Sequence, residues 1–365
     1  MPQDLSPRPV SSRPAIGLAV FTLTVGLAAA CTSQTAVSAP SDTVTVTNCG
    51  QDVAYEQPLD RWFVNDGGMI AIALAAGARN QMTAVSSLAR DIGVLRLEYG
   101  SQVDGLDEVA PEQPTLENIV GAKPQVLFAG YNYGMGEERG ITPEILAGHG
   151  IAVYQLSEAC LQAEGQPSRG TMDPWLALDT DLRNVGTLTG NTDTAFQAAD
   201  DIAARLQTLR AAPQPENKPT IFVFDSGTDT VFSSGAFGGP QGIIDAAGAR
   251  NATEDVQDTW TTVSWERVTT SDPDLIVFVD YPGQTVEEKI AALRSNPASR
   301  NLRAVRESRF VNLPYAMWVS SPLNIDSAEI LRSVLEKHGL APTSGITPTL
   351  DAARLNLAGN DWLLE

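Results

Sequence analysis

Ser226 stands in the stretch FDSGTD, next to Asp225 and three residues before Asp229. A hydrolytic serine needs a base within hydrogen-bond reach of its hydroxyl. The chain has two histidines, His149 and His338, and each precedes a glycine at the end of a predicted helix. The helix dipole favours partial positive charge there, which accounts for both without catalysis. The spacing of the aspartates around Ser226 does not supply the missing base. No CxxC, no Cys/His cluster and no His/Glu/Asp cluster occurs in the sequence. A zinc or iron–sulfur centre and a free-metal receptor are therefore unsupported. The expectation is a protein that is not an enzyme, with no catalytic residue, no metal held by its own side chains and no resident cofactor.

Two glutamates show a more informative pattern. Glu117 lies in TLENIVGAKPQVLFAGY and Glu266 in SWERVTTSDPDLIVFVDY. Both stretches fit one template: Ser or Thr, any residue, Glu, any residue, Ile or Val, then Pro, then an apolar run ending at Tyr131 or Tyr281. Thr115 and Ser264 are good N-caps, so each Glu falls in a first helical turn, near the positive end of the dipole. That local preference needs no partner. A second repeat keeps the same order: AAGARN occurs at 75–80 and again at 246–251. Its glycine suits the left-handed position that ends a helix. Two copies are too few for a solenoid and predict two lobes of similar build.

The elements agree. RWFVND, TAVSS, QVLFAG and IAVYQL read as strands, separated by helices such as LENIVGA and TPEILAGHG. Apolar strands alternating with helices imply parallel α/β sheets. A long amphipathic helix, DTAFQAADDIAARLQTLRAA, precedes the break PQPENKP. A second series follows, including TIFVFD, LIVFVD, TVEEKIAALRS and FVNLP. We expect an N-terminal lobe over 46–185, a bridging helix over 186–213, a C-terminal lobe over 214–341 and a tail over 342–365 without a clear place.

The N-terminus reads as an address. Two arginines precede an apolar run over 15–30, too short for a membrane span and fitting for a signal. It ends GLAAAC at Cys31, and a polar Ser/Thr-rich stretch follows. This resembles a bacterial lipoprotein signal, which implies removal of 1–30 and a lipid on Cys31. The alternative is a plain secretory signal cut nearby. Residues 31–45 would form a tether spanning about 20 Å as a flexible coil. Cys49 and Cys160 then remain. An exported chain permits a disulfide between them, the alternative being two buried thiols. The formal net charge of −20 argues against nucleic-acid or anionic-membrane binding, so membrane attachment would be through the lipid alone.

Several motifs in order resemble the iron-complex and cobalamin family of substrate-binding proteins, which serve ATP-driven importers. They are TLENIVGAKPQVLFAGY, TPEILAGHGIAVYQL, the long helix, FDSGTDTVFSSG, DTWTTVSWERVTTSDPDLIVF and SPLNIDSAEIL. The resemblance implies two Rossmann-like lobes joined by one long rigid helix, with the ligand in the cleft between them. It also implies that Glu117 and Glu266, one per lobe, pair with arginines of a permease dimer that works with its ATPase. The chain itself is expected to be a monomer.

In open α/β lobes, ligands sit at the carboxyl ends of strands. Those ends carry Asn65 and Asp66, Tyr131 and Tyr133, Ser234 and Tyr281. Trp260 stands where the family often uses an aromatic contact, and Tyr315 and Trp318 follow in LPYAMWVSSP. Arg90 and Arg139 are the basic candidates. A strongly anionic ferric catecholate would want more arginines. The set leans toward a neutral or cationic ferric hydroxamate. Haem, cobalamin or another ring-like organic ligand remains open, since a tyrosine can ligate haem iron.

Overall fold

The computed structural model describes residues 42–160 and 169–363. The leader, Cys31 and the first part of the tether lie outside the described residues.

The chain opens with a hairpin of β1 (Thr43–Asn48) and β2 (Gln51–Glu56). The first α/β series is β3 (Trp62–Asn65), α1 (Gly67–Ala75), β4 (Met82–Ser86), α2 (Leu88–Tyr99), β5 (Glu108–Ala110), α3 (Leu116–Ala122), β6 (Val126–Tyr131), β7 (Gly134–Met135), α4 (Pro143–Gly148) and β8 (Ala152–Gln155). Its strands pair in parallel in the order β5-β4-β3-β6, with β7 and β8 both on β6. Two helices follow, α5 (Pro174–Thr189) and α6 (Thr192–Ala211).

The second series is β9 (Thr220–Phe224), β10 (Val231–Ser234), α7 (Gly239–Ala246), β11 (Arg250–Asn251), β12 (Trp260–Val263), α8 (Trp265–Ser271), β13 (Leu275–Asp280), α9 (Val286–Ser295), α10 (Arg303–Arg306), β14 (Phe310–Pro314) and α11 (Asn324–Lys337). Its parallel sheet runs β11-β9-β13-β14, while β10 and β12 form a separate antiparallel pair. Phe222, Ile276 and Phe310 stand in register across this sheet. The central strands are buried almost throughout, because helices cover both faces of a parallel sheet.

The two halves share a core. One buried cluster runs from Val46 through α1, α5, α6, α7 and α11 to Trp362. Two smaller clusters lie on the other sides of the sheets, one around Phe63, Leu127 and Ile141, the other around Phe222, Phe278 and Phe310. Helix α1 (GGMIAIALA) is buried at all but its last residue, as expected of a helix apolar all round.

The expected long helix between the two series is present as α6, and a second helix packs against it. Residues 186–189, assigned above to the bridge, instead end α5, which Gly190 closes in the left-handed conformation. Helix α5 escaped the sequence reading. Its partner α6 packs closely: a β-carbon on Gly186 would lie 2.2 Å from the Ala195 Cβ. On its other side α6 is ion-paired to α11, through Arg205 to Asp326 at 2.5 Å and Glu329 at 2.8 Å.

Residues 342–363 are not loose. Leu350, Ala352 and Trp362 are buried. Thr349 N donates to Glu329 (2.9 Å), and Asn360 exchanges hydrogen bonds with the backbone of Asn312 on β14 (2.8 Å each).

Cys49 and Cys160 are bonded to one another, 111 residues apart in sequence. The bond ties the turn of the first hairpin to the segment after β8, where Asn48 also holds both backbone groups of Gln155. Chain entropy alone assigns such a loop about 4–5 kcal/mol. We predict that replacing both cysteines by alanine lowers unfolding free energy in urea by up to about that amount. Non-reducing peptide maps should recover the two residues as one linked pair; recovery as free thiols would refute the bond.

Candidate functional site

The site is built around Arg90, in the first turn of α2. Its Nη2 lies 3.1 Å from Asp66 Oδ1, and its Nε donates to Asp91 Oδ2 at 2.8 Å. Asp66 ends β3 at a φ of +72° and caps α1 through Gly68 N. The other oxygen of Asp91 accepts from Ala316 N (2.9 Å), beyond β14. The cluster therefore joins the two halves. The Arg90 guanidinium sits 3.9 Å from the ring centre of Tyr315 and 5.3 Å from that of Tyr281. Gly67 is required beside it, because a β-carbon there would meet Asp91 Oδ2 at 2.4 Å.

A cavity of about 380 Å³ opens above these groups between the two sheets. Five aromatic rings line it: Tyr133 from the first half, and Phe232, Trp260, Tyr281 and Tyr315 from the second. Phe232 stacks on Trp260 with ring centres 6.1 Å apart, and Tyr281 leans on Tyr315 at 5.3 Å. Phe232 and Tyr281 are large side chains left exposed, which suits a site awaiting cover. Gln113, Asn132, Arg139, Arg169, Asp225 and Ser226 supply the polar edge. Arg169 lies 4.7 Å over the Tyr133 ring and donates to the Tyr131 carbonyl. Apolar faces with a few convergent polar groups make a binding site for an organic molecule.

Residues 66–316, more than half of the chain, match the family described as Periplasmic binding protein. The chain belongs to that family. Its members are substrate-binding transport proteins, not enzymes, and the family places the chain outside the cytoplasm. Among the described residues no helix is long and apolar enough to cross a membrane. A vitamin B12-binding protein of Pectobacterium carotovorum is 26% identical over 226 residues, covering 61% of this chain and 71% of that one. Two solved structures are similar in fold. An ABC-type Fe3+-hydroxamate transport system from Saccharomonospora viridis has a TM-score of 0.65 at 20% identity, covering 80% of this chain and 98% of that one. A periplasmic heme-binding protein from Pseudomonas aeruginosa has a TM-score of 0.59 at 21% identity, covering 79% and 97%.

Within this periplasmic binding protein the sequence-derived site residues separate into three groups. Tyr133, Trp260, Tyr281 and Tyr315 line the cavity together, and Arg90 lies against the last two. Asn65 and Asp66 are buried beneath it and act on others. Asn65 accepts from Ser86 Oγ (2.7 Å) and donates to the Tyr133 carbonyl (2.9 Å), fixing the backbone of that tyrosine.

Ser234 and Trp318 require correction. Ser234 is wholly buried, and its carbonyl accepts from Thr253. Trp318 is also wholly buried, its indole donating to the Leu313 carbonyl inside the shared core. Tyr131 is half-buried and does not line the cavity. A strand end supplies residues to both faces of its sheet, so position alone does not separate core from cleft. Asp225 and Phe232, at strand ends in the sequence, also line the cavity, whereas Gln113 and Arg169 line it without having been expected. For Arg169 the only sequence signal was a cation in a strongly acidic chain. Neither histidine lines the cavity.

Burial pushes the Asp91 carboxyl up to about 6 despite Arg90, and the Glu158 carboxyl up to about 7 despite Arg169. Burial likewise raises Asp225. A carboxyl whose folded pKa exceeds its unfolded value binds protons preferentially in the native state. Stability then rises as pH falls, until the unfolded value is passed. We predict that the thermal midpoint increases as pH is lowered from about 7.5 to about 5. The rise should be smaller in Glu158→Gln. A midpoint that falls over this window would contradict the assignment.

Proposed function

We propose that this protein is an extracytoplasmic lipoprotein, anchored to the bacterial cell membrane through Cys31, that delivers a ferric siderophore to an ABC importer. One observation carries the ligand class: the cavity is walled by five aromatic rings and lined by two arginines, Arg139 and Arg169, while Arg90 behind Tyr281 and Tyr315 is ion-paired to Asp66 and Asp91. Two arginines facing Asp225 are few for a multiply charged anion such as a ferric tris-catecholate. A neutral or cationic ferric hydroxamate, with iron held by the chelator, suits it better. The likeness to the Saccharomonospora structure supports this class without deciding it. A second reading is a ring-like cofactor such as haem or cobalamin. It is favoured by Tyr133 in the cavity wall, a phenol that could meet a metal.

The test is fluorescence titration of purified protein. A ferric trihydroxamate should quench the tryptophans at micromolar concentration or below. A ferric tris-catecholate should not. Trp260→Ala and Tyr133→Ala should each weaken binding at least about tenfold, measured well below the lowered melting midpoint expected when a buried ring is removed. Saturable binding of haem or cyanocobalamin, with no response to hydroxamates, would select the second reading.

The permease contact is assigned to Glu117 and Glu266. Both are exposed, each in the first turn of a seven-residue helix. Thr115 caps α3 and Ser264 caps α8. Each helix ends at a left-handed residue, Lys123 or Asp272, followed by Pro and a central strand. The Glu117 carboxyl is held below its ordinary value by its own backbone amide and the Thr115 hydroxyl, so it stays ionised. Glu117→Arg with Glu266→Arg should abolish import in cells while leaving ligand affinity within about twofold. A Gln pair should be milder, because docking charges act mainly through complementarity. Normal import by the double Arg variant would sink the docking role.

A further inference from the structure

The tail borders a second cavity. About 350 Å³ in volume, it lies beside the cleft and shares Arg90 and Tyr281 with the spaces around it. One wall is the loop over 280–285 and the start of α9. The other is the tail at Asn356, Leu357 and Ala358. The tail is fixed there: Asn312 Nδ2 donates to the Ala358 carbonyl (3.1 Å), and Lys337 Nζ donates to that of Trp362. The family match ends at residue 316, so this wall lies beyond it.

The chemistry of the cavity is polar and acidic. Asp280 and Glu287 line it, and the tail residues add no charge. Lys289 is near Asp280, but it is buried, donates to the Val279 carbonyl and is shared with Asp225. Arg90 is matched by its own two aspartates. Asn312 Oδ1, on a fully buried residue of the cavity lining, has no hydrogen-bond partner. An acceptor left unmatched at such a place calls for a donor from the occupant.

We propose that residues 356–358 complete a third wall of the ligand site, and that the cavity they close receives a cationic, hydrogen-bond-donating arm of the ligand, such as a primary ammonium. This rests on the ferric hydroxamate reading above. The cleft would hold the iron chelate against its aromatic rings, and the side cavity would select chelates that carry the arm.

Two ferric trihydroxamates test it: a linear one ending in a free amine and a cyclic one without an arm. Wild-type protein should prefer the linear complex at least tenfold. Ala358→Trp, on an exposed residue whose backbone makes the contact to Asn312, should fill the cavity and remove that preference, leaving the cyclic complex within twofold. Asp280→Asn with Glu287→Gln should reduce the preference without added bulk. N-acetylation of the linear complex should do the same in wild type. Equal loss for both complexes, or none, in both variants would overturn the third wall while the hydroxamate reading stands. If wild type binds neither complex, the hydroxamate reading and the arm subsite resting on it both fail.

Discussion

The buried cluster of Arg90, Asp66 and Asp91 is the joint on which the site depends. Each carboxylate would be expensive to bury alone, as would the guanidinium. Together they compensate in part, one guanidinium lying between two carboxylates, and Asp91 uses its second oxygen to hold Ala316 N in the opposite half. That bond fixes the turn after β14, and with it Tyr315. Tyr315 in turn faces Arg90, and Tyr281 packs on Tyr315. One ion cluster thus sets the floor of the cavity and the place of two rings in its wall. With one cation to two anions, the cluster offers a ligand no free positive charge, which leaves Arg139 and Arg169 as the cations of the cavity lining.

Glycines let the two halves come close enough for this. Besides Gly67 against Asp91, a β-carbon on Gly68 would meet the Ser320 carbonyl at 2.8 Å, and one on Gly239 the Trp318 carbonyl at 2.4 Å. These contacts are backbone against backbone, between the starts of α1 and α7 and the segment leading into α11. The shared apolar core continues behind them through α5, α6 and α11. An interface of this kind resists hinge motion far more than a polar one. The tail adds another tie, touching α2 on one side and β14 on the other.

Much of this was legible where a local rule acts alone. The N-caps at Thr115 and Ser264 form as their residue types demand, and the prolines 124 and 273 mark the helix ends. Buried strands such as LIVFVD and QVLFAG announce themselves by continuous apolar runs. Other features depend on tertiary context. Helix α5, PWLALDTDLRNVGTLT, carries several β-branched and turn-forming residues, and its place is set by packing against α6 and α1. The tail has little regular structure, so its hold on the body could be found only from Leu350, Ala352, Asn360 and Trp362 in three dimensions. Trp318 and Trp260 have the same residue type and similar surroundings in sequence. Both join the shared core, but Trp318 is wholly enclosed, while Trp260 also lines the cavity and stacks on exposed Phe232.

The rigidity of the joint bears on how a partner would read the ligand. Under the proposed docking role, Glu117 and Glu266 each stand on a short helix that leads directly into a central strand, β6 or β13. Those strands are locked into sheets that share one core, so large changes in the separation of the two glutamates would disrupt buried packing. A docked partner would then respond less to a wide closing of the halves than to small shifts of the cleft rim. The exposed rings of Phe232 and Tyr281 suit this, since a ligand that covers them changes the molecular surface without moving the core. Signal and stability would be carried by different parts of the molecule: the first by the exposed aromatic rim, the spacing of the charges by the Arg90 joint beneath it.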